Sequence, residues 1–147
     1  MSASLSAICL DRDFAEIVSQ PEYSGWDLKQ GPCSSLEVFA TMSSRRAPQE
    51  HFFVRLLWSE YPGPPSLKFR DPATDRLDNP RAWPRCPGFR PTSLDACVSW
   101  TAEGHALHPE WRNAPATRFD CSGNALFRVL CILQDTLDFS FEGRHVQ

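Results

Sequence analysis

Cysteine and histidine are the side chains that make nucleophiles, proton carriers and metal ligands near neutral pH. The stretch Leu94–Trp111, LDACVSWTAEGHALHPEW, brings together Cys97, His105 and His108. Asp95, Glu103, Trp100 and Trp111 share it. Cys97 is a candidate nucleophile: Asp95 nearby would tend to raise its pKa, and a histidine close in space would offset that. A second thiol competes, Cys86 in Pro84-Arg85-Cys86-Pro87-Gly88, where flanking arginines would favour the thiolate. Cys86, Cys97, His105, His108 and Cys121 are also a set from which a fold could assemble a zinc site, although no C-x-x-C pair occurs. The plainest alternative is that Cys97 is a small buried hydrophobe, as most free cysteines are, with the histidines idle on a surface loop. Cys9, Cys33 and Cys131 lie within or beside apolar patterns and read as core.

Presenting such a stretch takes a scaffold. Leu10, Phe14, Ile17 and Val18 fall at helical spacing, and Pro21 ends the pattern. Tyr23–Leu28 suits a short strand before the Gly31-Pro32 turn. Leu36, Val38, Ala40 and Met42 alternate with Glu37, Phe39 and Thr41, which predicts a strand with one buried face. Ser43–Glu50 reads as a hairpin loop, Phe52–Trp58 as the strongest strand, and Leu67 with Phe69 as a fourth. A helix followed by a four-stranded antiparallel meander is an α+β layout, with the helix packed on one face of the sheet. The prolines of Tyr61–Pro65 cannot join a ladder and make a rigid, extended connector. From Asp71 to Ser93 regular structure gives way to a run rich in Pro and Arg, and so long a loop in a compact domain is usually functional or mobile. Leu126, Val129, Leu130, Leu133 and Leu137 then predict a core helix, capped by Asp120 or Ser122. Of Trp83, Trp100 and Trp111, at least two belong in the core and the rest can line a groove.

A chain of 147 residues suits one domain, 1–147. With 41% hydrophobic and 12% aromatic residues it is globular. A net charge of −3 argues against nucleic acid as a partner. No apolar run reaches membrane-spanning length, and Met1–Leu10 lacks the basic start and apolar block of a secretory signal. The expected compartment is therefore the cytoplasm, with no membrane partner and with the six cysteines reduced. Only Lys29 and Lys68 among the fifteen basic residues are lysines, which fits either a genomic preference for arginine or an enzyme that modifies amines.

Taken in order, the helix, meander, tyrosine-proline connector, long flap, cysteine, tryptophan and core helix resemble a ubiquitin-conjugating enzyme, from about Asp11 to Leu137. Tyr61-Pro62-Gly63-Pro64-Pro65 followed by Leu67-Lys68-Phe69 is similar to that family's Y-P-x-x-P-P-x-ψ-x-F run, one residue short in the middle. Leu94-Asp95-Ala96-Cys97-Val98 falls where the family carries its thioester cysteine. The chain looks most like the compact bacterial members, which are encoded beside an activating enzyme, a ubiquitin-like protein and a deconjugating protease and are linked to defence against phage. The resemblance implies a modifier carried as a thioester on Cys97 and passed to an amine of a target protein, with no cofactor. It also implies docking of the activating enzyme on the first helix, here the face carrying Arg12, Asp13 and Glu16. Two features depart from the family. Its His-Pro-Asn tripeptide has no counterpart nearer than Asp78-Asn79-Pro80, and its last two helices have none after the core helix. Under this reading the transfer step needs an oxyanion donor: His105 or His108, held near Cys97 by a Gly104–Pro109 turn, ahead of Asn79 and Asn113. Two other readings compete: a catalytically inert binding module of the same fold, and a zinc protein using Cys97, His105 and His108.

Overall fold

In the computed structural model, which describes residues 4–20 and 25–146, the chain is α+β: an N-terminal helix, a four-stranded antiparallel sheet and a C-terminal helix. Helix α1 is Leu5–Val18 and starts earlier than the apolar spacing predicts. Ser4 caps it by accepting the Ala7 N–H at 3.1 Å. The first turn escapes the pattern because Leu5 and Ile8 face outward, 75% and 54% exposed. The sheet runs β1 (Asp27–Gln30), β2 (Glu37–Ser44), β3 (Ala47–Leu57), β4 (Ser66–Arg70), each pairing with the next. The strand expected over Tyr23–Leu28 thus begins only at Asp27; Pro21 and Tyr23 lie outside the described residues. Nor is Ser43–Glu50 a loop. β2 and β3 continue to a turn at Arg45-Arg46, with Ser44 opposite Ala47 and a register shift after Met42. The α3 helix (Ala125–Phe139) holds that turn, since Asp138 accepts the Arg45 N–H at 2.9 Å.

Alternation gives the sheet one buried face. Val38, Ala40, Met42, Phe52, Val54, Leu56, Leu67 and Phe69 are all buried, and the register sets Ala40 opposite Val54 and Leu56 opposite Leu67. Leu126, Val129, Leu130, Leu133 and Leu137 of α3 complete this core, where truncating one leucine to alanine costs about 2–5 kcal/mol. Asn124, rather than Asp120 or Ser122, caps α3, accepting the Phe127 N–H at 2.9 Å. Asp120 instead accepts the Ser122 N–H one turn earlier.

A polar knot ties α1, the Tyr61–Pro65 connector and α3 together. The Tyr61 hydroxyl donates to buried Asp13 and accepts the Leu126 N–H at 2.9 Å. Burial, and then the Asp13 carboxylate, push the Tyr61 phenol well above its ordinary range. Asp13 therefore does not belong to the exposed face with Arg12 and Glu16; it is 3% exposed and points inward. Ser6 adds two bonds to the Tyr61 backbone, and the Tyr61–Pro62 peptide is cis.

The flap is more regular than its composition suggests. Asn79 caps a 3-10 turn, Pro80–Ala82. β5 (Phe89–Arg90) and β6 (Asp95–Ala96) then pair as a small hairpin. Trp83 is fully buried, its ring 4.9 Å from Phe69 and 6.2 Å from Phe89, so the flap is stitched to the sheet through aromatic contacts. Trp100 is buried too, as expected of two of the three tryptophans. Among the described residues, no helix is long and apolar enough to cross a membrane.

Candidate functional site

Cys97 follows β6 directly, and the backbone on both sides of it is pinned. Its N–H donates to Gly88 O at 2.8 Å. Before it, the Arg90 guanidinium forks onto Asp95 with two bonds of 2.7 Å, and Lys68 Nζ donates to the carbonyl of Leu94, a residue at φ +58°. After it, the Thr101 hydroxyl donates to Ala96 O at 2.5 Å and accepts the Gly104 N–H at 3.1 Å. That second bond caps α2 (Ala102–Leu107), which lies where the sequence suggested only a turn. Glu103 fastens α2 to β4, accepting the Ser66 hydroxyl at 2.5 Å and the Leu67 N–H at 3.2 Å. The helix then presses on the chain just past the cysteine: a Cβ on Gly104 would stand 2.1 Å from Val98 O. Gly88 is as tightly constrained, with φ +83° and a notional Cβ 2.6 Å from a Val98 methyl.

Within this frame the Cys97 side chain is half-buried, and among the described residues no hydrogen bond holds its thiol. Asp95, expected to act on the thiol, is turned to Arg90. That fork, more than any other interaction, raises the Arg90 pKa, and Cys97 contributes in the same direction, so guanidinium and thiol feel one another. Cys86 is the opposite case. It is buried, and burial, reinforced by Glu142, pushes its thiol up to about 12. The flanking arginines do not favour its thiolate; Arg85 faces Glu142 at 3.9 Å. Cys86 is thus an inert thiol at neutral pH. Cys33 is exposed rather than core, while Cys9 and Cys131 are half-buried.

No family model, curated protein or solved structure matches this chain. What its site can do rests on its own geometry.

His105 is 5% exposed, not a surface loop residue. Its Nε2 lies 2.7 Å from Ser99 O, and its ring meets Trp111 edge-on at 5.8 Å. A neutral imidazole carries one N–H. The Ser99 carbonyl can only accept, so Nε2 carries a proton and His105 braces the turn after Cys97. The His108 ring stacks on Trp111 at 4.3 Å, and its Nδ1 lies 3.1 Å from Glu110 Oε1. With Nδ1–H on that carboxylate, Nε2 carries a lone pair and suits a base better than an oxyanion donor. The Asn79 amide is engaged at both ends, donating to Asp71 at 2.8 Å and accepting the Arg81 N–H at 3.0 Å. Asn113 is exposed at the end of the 3-10 turn Pro109–Asn113. Among the described residues, no hydrogen bond joins any of these four to Cys97, and no group of three His, Cys, Asp or Glu side chains is placed to hold a metal ion. The zinc reading is left without a ligand set.

Sequence reasoning missed Arg90, Lys68 and Thr101 as the residues that hold the cysteine. Thr101 alone left a local signal, a cap followed by a short helical run. The Arg90–Asp95 fork and the reach of Lys68 to Leu94 depend on the hairpin and on β4, and no spacing rule announces them.

A cleft of about 590 Å³ opens beside the site, between the connector (Glu60, Pro62, Pro64) and α2, with His105 in its wall and Arg112 and Arg118 at its rim.

Proposed function

We propose that the chain is a conjugating enzyme of a ubiquitin-like system, bacterial and of the antiphage kind, that carries its modifier as a thioester on Cys97. One observation carries the reading: Cys97 sits in a backbone fixed on both sides, with a half-buried thiol that no hydrogen bond among the described residues engages, whereas the rival Cys86 is buried. In the first step the Cys97 thiolate attacks the thioester carbonyl at the modifier's C-terminus, and the activating enzyme's thiol leaves. The incoming bond is already energy-rich, so strong activation of Cys97 is unnecessary, and too acidic a thiol would attack poorly. In the second step a target amine attacks the new thioester. The Cys97 thiolate leaves, the amine's proton passes to a base or to water, and an amide remains. His108 Nε2 is the histidine lone pair best suited to take that proton. Arg12 and Glu16, exposed on α1, offer the surface on which the activating enzyme docks; Asp13 does not. The modifier and a cytoplasmic target complete the set of partners.

A second reading, an inert binding module of the same fold, has one observation in its favour: among the described residues, the side-chain donors around Cys97 bond the backbone or Asp95 and none bonds its thiol. One experiment decides between them. Given activating enzyme, modifier and ATP, the chain should acquire an adduct seen on a non-reducing gel and lost with thiol reductant. Cys97→Ser should trap a reductant-stable oxyester, because an alkoxide leaves less easily than a thiolate, while Cys86→Ser should still charge with a reducible bond. Normal charging of Cys97→Ala would move the thioester elsewhere, and no charging of the wild-type chain would leave the binding module.

A further inference from the structure

Beyond α3 the chain does not trail away. Phe141–Val146 doubles back as a strap along the flap: the Glu142 N–H donates to Arg85 O (2.8 Å), the Arg85 N–H to Gly143 O (2.7 Å) and the His145 N–H to Trp83 O (2.9 Å). Phe141 seats the start of the strap in the core, its ring edge-on to Phe52 at 5.8 Å, and Arg144 fastens the strap further along. Arg144 places its guanidinium 4.3 Å above the Phe52 ring and donates to Glu50 (3.1 Å), to His51 O (2.9 Å) and to Arg81 O (3.1 Å). It therefore clamps strap, β3 and flap at a single point, with a planar fork that lysine cannot reproduce.

From that clamp a short line of bonds leads to the cysteine. The strap holds Trp83–Arg85, Phe89 N–H donates to Cys86 O (3.1 Å), and the next carbonyl back, Gly88 O, receives the Cys97 N–H. Cys86, Glu142 and His145 line one small pocket on this seam. The core of α3 against the sheet does not include Arg144. We propose that Arg144 is a positioning residue for Cys97: by locking the strap onto the flap it fixes the Gly88 carbonyl that sets the cysteine's backbone. The proposal rests on the conjugating reading for what Cys97 does, but not for where Cys97 is held, and the two fail separately.

The test uses the full chain and no partner for its first readout. In Arg144→Ala, Cys86 should change from resistant to readily alkylated by maleimide, which reports that the strap has lifted. Cys97 labelling should rise roughly tenfold, as expected of a local opening that costs about 1.4 kcal/mol less than before, while exposed Cys33 and Cys121 label at unchanged rates. Amide exchange should quicken at Arg85, His145 and Cys97 and stay slow in α3. Arg144→Lys should show the same pattern at smaller amplitude, and Glu50→Gln, which keeps an acceptor, should stay close to wild type. If Cys86 opens while Cys97 keeps its labelling rate and its exchange, the strap holds the flap without positioning the cysteine and the proposal fails. It fails equally if neither thiol responds, or if Arg144→Lys melts the whole chain, since the strap would then belong to the core. With activating enzyme and modifier added, Arg144→Ala should load with an unchanged KM and a kcat lowered by about 10-fold or more, the cost of a misplaced nucleophile. Loading absent in wild type and variant alike would count against the conjugating reading alone.

Discussion

Cys86 and Cys97 stand at the two ends of the same small hairpin region, yet they are opposite chemical objects. Cys86 is packed beneath the strap, with Glu142 nearby, and its thiol is driven up to about 12. Cys97 emerges past β6 half-buried, with its backbone tied through the bond from its N–H to Gly88 O. Local sequence points the wrong way: Cys86 is the one flanked by arginine, whereas Cys97 has an aspartate two residues before it. Tertiary contacts redirect both charges, turning Arg85 toward Glu142 and pairing Asp95 with Arg90. A neighbour in sequence perturbs a thiol only if the fold leaves its charge free to do so.

The largest expected difference is in thiol reactivity. At pH 8 a thiol of pKa about 12 is ionised to roughly one part in 10⁴, so Cys86 should resist iodoacetamide while Cys97 and exposed Cys33 are consumed. Peptide mass mapping over time should show rates differing by at least about 10²-fold. Comparable labelling of the two would erase the contrast.

Gly104→Ala attacks the support of Cys97 alone. The added methyl would stand 2.1 Å from Val98 O, so α2 must move off the chain beyond the cysteine. A stability loss of about 3 kcal/mol or more should follow, in the range of overpacking at a backbone contact. Denaturant titration gives the loss, and labelling should show Cys97 more reactive with Cys86 still protected. A loss confined to a few tenths would mean that α2 is not pressed against this turn.

What could be read beforehand divides along the same lines. Period-two alternation in Val38–Met42 and Phe52–Leu56 and the leucines of α3 announce themselves, because one buried face imposes its own spacing. The start of α1 was hidden, since a cap and two outward apolar residues carry no periodic signal. The hairpin seemed a loop because its arginines and Pro48 are poor strand formers, yet Asp138, far along the chain, grips the turn at Arg45. For the site, residue type singled out Cys97, but what holds it depends on the fold: Lys68 reaches across from β4 and Gly88 from the facing hairpin strand, while Thr101 and His105 act through the short α2 that the sequence shows only as a turn. The bond from the His105 ring to Ser99 O is set by α2 in the same way and leaves no signal in the sequence.

Alkaline pH should sharpen the contrast from the side of Cys86. Its folded pKa lies above that of an unfolded thiol, near 8.5, so between these values the native state binds more protons than the unfolded one. Stability is whole below about pH 8.5 and declines as pH rises toward 12, at up to about 1.4 kcal/mol per pH unit for this one group. Tyr61, also raised, adds to the slope once pH passes its ordinary value near 10. Urea titrations at pH 8, 9 and 10 should show the decline in wild type and a shallower one in Cys86→Ala; equal slopes in the two would mean that the fold does not hold Cys86 protonated.

The smallest effect concerns the Arg90–Asp95 fork. The pair is partly solvent-exposed, so water screens it and its contribution to stability is modest. Its consequence for Cys97 is more informative. Asp95 pairs with the Arg90 guanidinium, whose charge also acts through space on Cys97. In Asp95→Asn the amide can still accept one bond from Arg90 but carries no charge, so the thiolate faces an uncompensated cation and loses an anion from its surroundings. Both changes favour the nucleophilic form. Alkylation of Cys97 at pH 7 and low salt should rise by roughly twofold to fivefold, and the increase should shrink at 1 M salt, where the Debye length is about 3 Å. Arg90→Gln should move the rate the other way, because the carboxylate of Asp95 then stands near the sulfur without its partner. Equal rates in both variants would mean that Arg90 and Asp95 only fasten the hairpin, and that the difference between the two cysteines is one of burial alone.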